Sequence, residues 1–94
     1  MDFLELLHEV GKVAKPLHVN TLQKVPTLDT PFADTDYDSL DLIIVCMYLC
    51  QIYGINDEVA KQFHPKSPQD LLDFLQTNKT KEPESIEAAI QEIA

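Results

Sequence analysis

A nucleophilic hydroxyl lies between two carboxylates in the stretch Asp38-Ser39-Leu40-Asp41. An acidic, turn-rich segment precedes this stretch, and an almost uninterrupted apolar run from Leu42 to Tyr53 follows it. We therefore predict that Ser39 stands in the first turn of a helix, where backbone N–H groups lack partners and the helix dipole is positive. A hydroxyl at such a position can carry a phosphate ester.

The histidines of the chain do not accompany Ser39 in any catalytic motif. A serine nucleophile needs a base to take its proton, but His8, His18 and His64 lie in three separate segments. The GxSxG pattern of hydrolases is also absent, because Asp38 and Leu40 flank the serine. We expect no catalytic residue and no enzymatic activity in this chain, and Ser39 is predicted to be a substrate.

Alternating acids in Asp34-Thr35-Asp36-Tyr37-Asp38 have the spacing of a calcium-binding EF-hand loop. The pattern fails at two defining positions, because Ser39 replaces the glycine and Val45 replaces the bidentate glutamate. We predict no dedicated metal site. Weak, nonspecific binding of divalent ions by these acids stays open as an alternative.

The flanking segments predict a set of helices that position Ser39. Apolar residues recur at helical spacing from Phe3 to Ala14, which indicates a first helix of about three or four turns that ends before Pro16. A long connection over residues 17–37 follows. We expect apolar side chains to pin this connection onto the bundle, namely Leu22, Val25, Leu28 and Phe32.

Capping signals delimit the later helices. Asp38 is a good N-cap with Asp41 as a capping-box partner, and Gly54 is a natural stop. A short third helix begins near Asn56 and ends at Pro65, and the fourth runs from Ser67-Pro68-Gln69-Asp70 to about Asn78. The helix that begins at Ser39 has more apolar positions than one buried side requires, which suggests a second apolar face.

The end of the chain has a different pattern. We divide the sequence into a helical bundle over residues 1–78 and a second part, residues 79–94, made of a polar hinge and an amphipathic helix or tail. Apolar residues recur at helical spacing along residues 84–94, and we refer to them as the isoleucine stripe: Ile86, Ala89, Ile90 and Ile93. This stripe is expected to dock either on its own bundle or on a partner.

Composition narrows the class of protein. The 94 residues carry a net charge of −9, which argues against binding a nucleic-acid backbone and favours basic protein partners. Cys46 and Cys50 lie one helical turn apart, a poor fit to disulfide geometry. We interpret them as buried, reduced thiols. Reduced thiols, the absence of a signal-peptide pattern and the absence of a membrane-spanning run favour a location in the cytoplasm.

The serine motif and the order of the elements resemble the acyl carrier protein family. The similarity includes an amphipathic first helix, a long loop, an apolar helix opened by Asp38-Ser39-Leu40-Asp41, a short third helix and a capped fourth helix. It covers roughly residues 1–77. The resemblance implies an all-α fold, a small four-helix bundle of acyl-carrier type with a long loop between helices 1 and 2. Residues from Lys79 onward lie outside the resemblance, and their pattern allows one extra C-terminal helix or a tail.

The same resemblance implies a function and its residues. Ser39 would be esterified with 4′-phosphopantetheine by a separate phosphopantetheinyl transferase that uses Mg²⁺, and Asp38 would assist attachment beside Leu40 and Asp41. The thiol of that group would carry acyl chains as thioesters among acyl-loading, condensing and acyl-transferring enzymes. We expect a free-standing, monomeric carrier.

Several positions depart from the family pattern. Ile44, Cys50 and Gln51 occupy places where acids are common, and Asp36-Tyr37 replaces a pair that usually contains glycine. We infer a specialised carrier of a fatty-acid or polyketide-type pathway with a more apolar partner surface. The residues predicted to dock partners are Asp34, Asp36, Ile44, Met47 and Tyr48. A peptidyl carrier and a helical interaction module without enzymatic activity remain as alternatives.

Overall fold

The computed structural model describes residues 2–15 and 22–94, and within them the chain forms five α-helices and no β-strand. This confirms the prediction of an all-α helical bundle. No helix among the described residues is long and apolar enough to span a membrane. His18 and the first part of the predicted connection lie outside the described residues. The helices are α1 (Phe3–Ala14), α2 (Ser39–Ile52), α3 (Asp57–Lys61), α4 (Pro68–Asn78) and α5 (Ile86–Ile93), with a 3₁₀ helix at Phe32–Asp34.

Helix α2 lies at the centre of the bundle. It contacts each of the other four helices, and α1 and α5 also pack against each other. This arrangement explains why α2 is apolar on more than one side, since several neighbours cover it. The α2 side chains with almost no exposed surface are Val45, Cys46, Leu49, Cys50 and Ile52.

Local capping chemistry sets the helix boundaries. Asp2, Asp38, Asn56, Ser67 and Ser85 each accept a backbone N–H at the start of one helix, which satisfies donors that have no partner inside the helix.

One predicted boundary is corrected, because α3 ends at Lys61, well before Pro65. Within the C-terminal segment, α5 begins at Ile86 and is capped by Ser85. After α2, Gly54 adopts a φ of +67°, which favours glycine and turns the chain away from the helix.

The described part of the long connection is held against the bundle. Leu22, Val25 and Phe32 are buried, as the sequence predicted, and Leu28 is half-buried against the core. The Phe32 amide donates to the Lys66 carbonyl at 2.8 Å, on the loop before α4. The segment that leads to Ser39 is therefore fixed by both apolar and backbone contacts.

Helix α5 packs on its own bundle rather than extending from it. Ala89 is fully buried, and Gln51 Nε2 of α2 donates to the Glu92 carbonyl at 3.0 Å. In the linker, the Thr80 amide donates to the Tyr53 carbonyl at 3.0 Å. Of the two roles that the sequence left open for the isoleucine stripe, internal docking is the one that the structure shows. The other stripe residues are partly buried against the core, namely Ile86, Ile90 and Ile93.

Candidate functional site

Ser39 is the first residue of α2, and it is exposed. The cap of this helix is Asp38, whose Oδ1 accepts the Asp41 amide at 2.8 Å. Asp41 Oδ2 accepts the Asp38 amide at 3.1 Å and completes a reciprocal capping box. Because the two carboxylates satisfy the helix start, the Ser39 hydroxyl is not needed for capping.

The other two serines of the chain provide an internal comparison, since both also stand at helix starts. Ser67 Oγ accepts the Asp70 amide at 3.3 Å, and Ser85 Oγ accepts the Ala88 amide at 3.1 Å. These two hydroxyls are therefore engaged as N-caps. Ser39 stands one position further into its helix, and its hydroxyl makes no hydrogen bond to another described residue.

A lysine from α1 joins the capping box. Lys15 Nζ donates to Asp41 Oδ2 at 2.8 Å and to the Asp36 carbonyl at 2.9 Å. Burial alone would raise the pKa of Asp41, but the hydrogen bonds from Lys15 and from the Asp38 backbone outweigh it and lower that pKa. The Asp41 carboxylate therefore stays ionised at neutral pH and is held in one orientation.

The acids around Ser39 do not converge. Asp34, Asp36 and Asp38 are all exposed, and Asp36 Oδ2 is engaged by the Gln23 amide at 2.9 Å. Across residues 2–15 and 22–94, no group of three or more His, Cys, Asp or Glu side chains is arranged to hold a metal ion. The acids form a negative surface beside the serine, which can attract basic partners.

Tyr37 anchors the backbone immediately before the motif. Its ring is buried and packs edge-on against Phe32, with 5.9 Å between the ring centroids. A Cβ on Gly11 of α1 would overlap the Tyr37 hydroxyl and would lie 3.0 Å from Cε1 and Cζ. The missing side chain at Gly11 therefore makes room for Tyr37.

The Tyr37 hydroxyl has no hydrogen-bond partner among the described residues. Burial, followed by the nearby carboxylates of Asp36 and Asp41, raises the pKa of Tyr37 to about 12. The phenol therefore stays protonated, and its contribution here is packing.

Within the part of the chain that the structure describes, two clefts include Ser39, and a basic residue lines each of them. The larger, of about 730 Å³, has Lys66 on its wall together with Phe32, Tyr37 and Leu42. The smaller, of about 270 Å³, has His64 on its wall together with Leu42, Ile43, Phe63 and Pro65. Among the described histidines, His64 is the one that shares a surface with Ser39, but no hydrogen bond joins the two side chains. The sequence did not anticipate this proximity, because twenty-five positions separate them.

An apolar stripe runs along α2 from the serine end. Leu40 is 65% exposed and Ile43 is 40% exposed, and Ile44 and Met47 are half-buried on the same face. Tyr48, also predicted to dock partners, is half-buried and packs against the core. We refer to Leu40, Ile43, Ile44 and Met47 as the apolar stripe; its most exposed members are the first two.

Predictions from the sequence did not assign a role in the site to three residues that shape it. Lys15 precedes Asp41 by 26 positions, and no local pattern links them. Ile43 lies within a continuous apolar run, so periodicity could not separate it from its buried neighbours. Gly11 did carry a signal, since a glycine inside a helical pattern often marks a close approach.

Comparison of the chain with models of known protein families, with curated proteins and with solved structures gave no match. The geometry of the site is the feature of this chain that bears on its function. That geometry combines an exposed hydroxyl on a firmly capped helix, a negative surface and an apolar stripe.

Proposed function

We propose that this chain is an acyl carrier that is phosphopantetheinylated on Ser39. The observation that carries the proposal is the Ser39 hydroxyl, which is exposed at the first residue of α2 while Asp38 performs the capping. A phosphodiester at this position would benefit from the positive end of the helix dipole. The carrier itself needs no catalytic group, because tethering raises the effective concentration of its cargo.

The residues around Ser39 fit a covalently attached 4′-phosphopantetheine. The hydroxyl has no competing hydrogen bond to a described residue, and Lys66 and His64 each line one of the two clefts that include Ser39. The arm, once bound, supplies a thiol that holds acyl groups as thioesters. Asp38 uses Oδ1 for capping, and its other carboxylate oxygen is available to assist attachment.

Partner enzymes would dock on the apolar stripe and the neighbouring acids. Leu40 and Ile43 expose apolar surface directly after the serine, and Asp34 and Asp36 are exposed before it. A partner of matching chemistry has an apolar patch bordered by basic residues. Such a surface supports the proposal of a specialised fatty-acid or polyketide-type pathway.

This docking surface is tested with two apolar positions of equal exposure. Ile43 on α2 and Val59 on α3 are both 40% exposed. Ile43→Glu should slow modification by a broad-specificity phosphopantetheinyl transferase at least several-fold through KM, and Val59→Glu should have less effect. Equal rates for the two variants would place the docking surface elsewhere.

The carrier function is tested by intact mass after incubation with coenzyme A, Mg²⁺ and that transferase. The wild-type chain should gain one phosphopantetheine group, and Ser39→Ala should gain none. Ser85→Ala is the matched control, because it also removes an exposed serine at a helix start, and it should be modified normally. An unmodified wild-type chain would refute the proposal.

A helical interaction module is the second candidate, and the exposure of Leu40 favours it. A module of this kind would not be modified, and Ser39→Ala would bind partners as well as the wild-type chain does. A peptidyl carrier would pass the mass test and would differ in accepting aminoacyl groups on the arm.

A further inference from the structure

We propose that Lys15 is a positioning residue for Ser39, because it holds the capping box that fixes the start of α2. The inference rests on the proposed function and deepens it. It assigns to α1 a role in presenting the hydroxyl to the transferase.

Lys15 joins three segments at one point. It is the C-cap residue of α1, and its ammonium group reaches both the Asp36 carbonyl in the connection and Asp41 in α2. The two side chains of the ion pair are only 16% and 14% exposed, which makes it the least exposed of the four ion pairs within the described residues. A pair sheltered in this way is less weakened by solvent than a surface pair.

The link to Ser39 runs through a single oxygen. Asp41 Oδ2 accepts both the Lys15 ammonium at 2.8 Å and the Asp38 amide at 3.1 Å. The Asp38 amide lies one residue before Ser39, so this bond fixes the backbone from which the hydroxyl projects. Without Lys15, the Asp41 carboxylate would lose its anchor on α1 and would hold the Asp38 amide less firmly.

The surrounding charges strengthen this role. Lys15 approaches Asp41 from α1, Asp36 and Tyr37 lie in the connection, and Asp38 lies on the helix start itself. The lysine offsets repulsion between Asp38 and Asp41, which must stay close in the capping box. It contacts Asp41 rather than Asp38, which leaves an oxygen of Asp38 available beside the serine.

A positioning role of Lys15 and a simple effect of its charge would change different kinetic constants of the modification reaction. If Lys15 only altered the net charge, Lys15→Met would make the carrier more negative and lower KM for a basic transferase. If Lys15 positions Ser39, the variant still binds but presents the hydroxyl poorly, so kcat falls. The split between KM and kcat therefore separates the two.

The experiment compares Lys15→Met, Lys15→Arg and Lys12→Met. Lys12 is the control, since it lies on α1 and pairs with Glu9 away from the site. With the broad-specificity transferase, Lys15→Met should lower kcat about tenfold, which is less than the roughly hundredfold loss that a 1 Å misplacement of a reacting group can cause. Lys15→Arg should restore most of it, and Lys12→Met should match the wild-type chain.

Amide hydrogen exchange provides a readout that needs no enzyme. In Lys15→Met the amides of Asp38 and Asp41 should exchange about tenfold faster, as expected for the loss of a hydrogen bond to a charged group. Asp41→Asn removes the same ion pair and should lower kcat to a similar extent. The double variant Lys15→Met/Asp41→Asn should show no further loss, because both changes act through one contact.

The outcomes distinguish the two proposals. Unchanged kcat and unchanged exchange in Lys15→Met, or additive losses in the double variant, would overturn the positioning role while the carrier function stands. If Lys15→Met does not fold, the Lys15→Arg and Asp41→Asn variants decide the matter by the same kcat comparison. A wild-type chain that accepts no group from the transferase would overturn the carrier function and, with it, this inference.

Discussion

Replacing Gly11 by alanine is expected to destabilise the protein, although alanine is the better helix former. In an exposed helix interior this change typically stabilises by about 0.8–1.0 kcal/mol. Here the added Cβ would overlap the Tyr37 hydroxyl and would lie 3.0 Å from two ring carbons. Tyr37 is only 4% exposed and packs against Phe32, so the ring has little space into which it can move.

The expected size of the effect follows from the two opposing contributions. Forcing an extra carbon into a packed core typically costs about 1–3 kcal/mol. After the gain in helix propensity of about 0.8–1.0 kcal/mol is subtracted, Gly11→Ala should lower the free energy of unfolding by up to about 2 kcal/mol. For a domain of this size each 1 kcal/mol of lost stability lowers Tm by about 4–8 °C.

Urea unfolding followed by circular dichroism measures this effect, and Tyr37→Phe provides the matched variant. That substitution removes the closest atom and an unpartnered buried hydroxyl, so alone it should cost little stability. Gly11→Ala in the Tyr37→Phe background should therefore be less harmful than in the wild-type chain. If Gly11→Ala raises the stability, or if the two changes are additive, the packing of Tyr37 over Gly11 is not the reason for the glycine.

Further predictions concern the core, the last helix and the response to acid. Burial raises the pKa of Cys46 to about 12 and that of Cys50 to about 11. Both thiols should therefore react with Ellman's reagent at pH 8 at least about a hundredfold more slowly in the folded chain than in urea. Fast labelling of the folded chain would contradict their burial. Ala89→Leu should lower the stability by about 1–3 kcal/mol in thermal unfolding, because Ala89 is fully buried where α5 docks, whereas the exposed Ala88→Leu should not; equal effects would argue against this docking. The pKa of Asp41 is lowered on folding from a usual value of 3.8, so its contribution is complete above that value and is lost as the pH falls through the lower folded-state pKa. Below a pH of 3.8, the urea midpoint of Asp41→Asn should therefore vary less with pH than that of the wild-type chain. An equal variation would show that the lowered pKa of Asp41 does not contribute to the stability of the folded chain.

Features of the fold that depend on contacts between residues close in sequence could be predicted from the sequence. The capping box of Asp38 and Asp41 and the start of α4 at Ser67 and Pro68 each depend on side chains a few residues apart. The exposed position of Ser39 follows from the same local rules. These contacts form within one turn of helix, so spacing alone predicts them.

Features that depend on contacts between residues far apart in the sequence could not be predicted from spacing. The sequence predicted a second apolar face on α2, but only the structure shows that α5 covers part of it. Gly11 interrupts a helical pattern, and its contact with Tyr37 across 26 positions explains why a glycine stands there. The pairing of Lys15 with Asp41 has no local signal, because any lysine near the end of α1 would look the same.

Tandem mass spectrometry after incubation with coenzyme A, Mg²⁺ and a broad-specificity transferase shows directly whether Ser39 receives the phosphopantetheine group. Fragment ions should place a single phosphopantetheine group on the peptide that contains Ser39, and the peptides that contain Ser67 and Ser85 should be unmodified. A chain whose mass does not change, or a group located on another residue, would contradict the account.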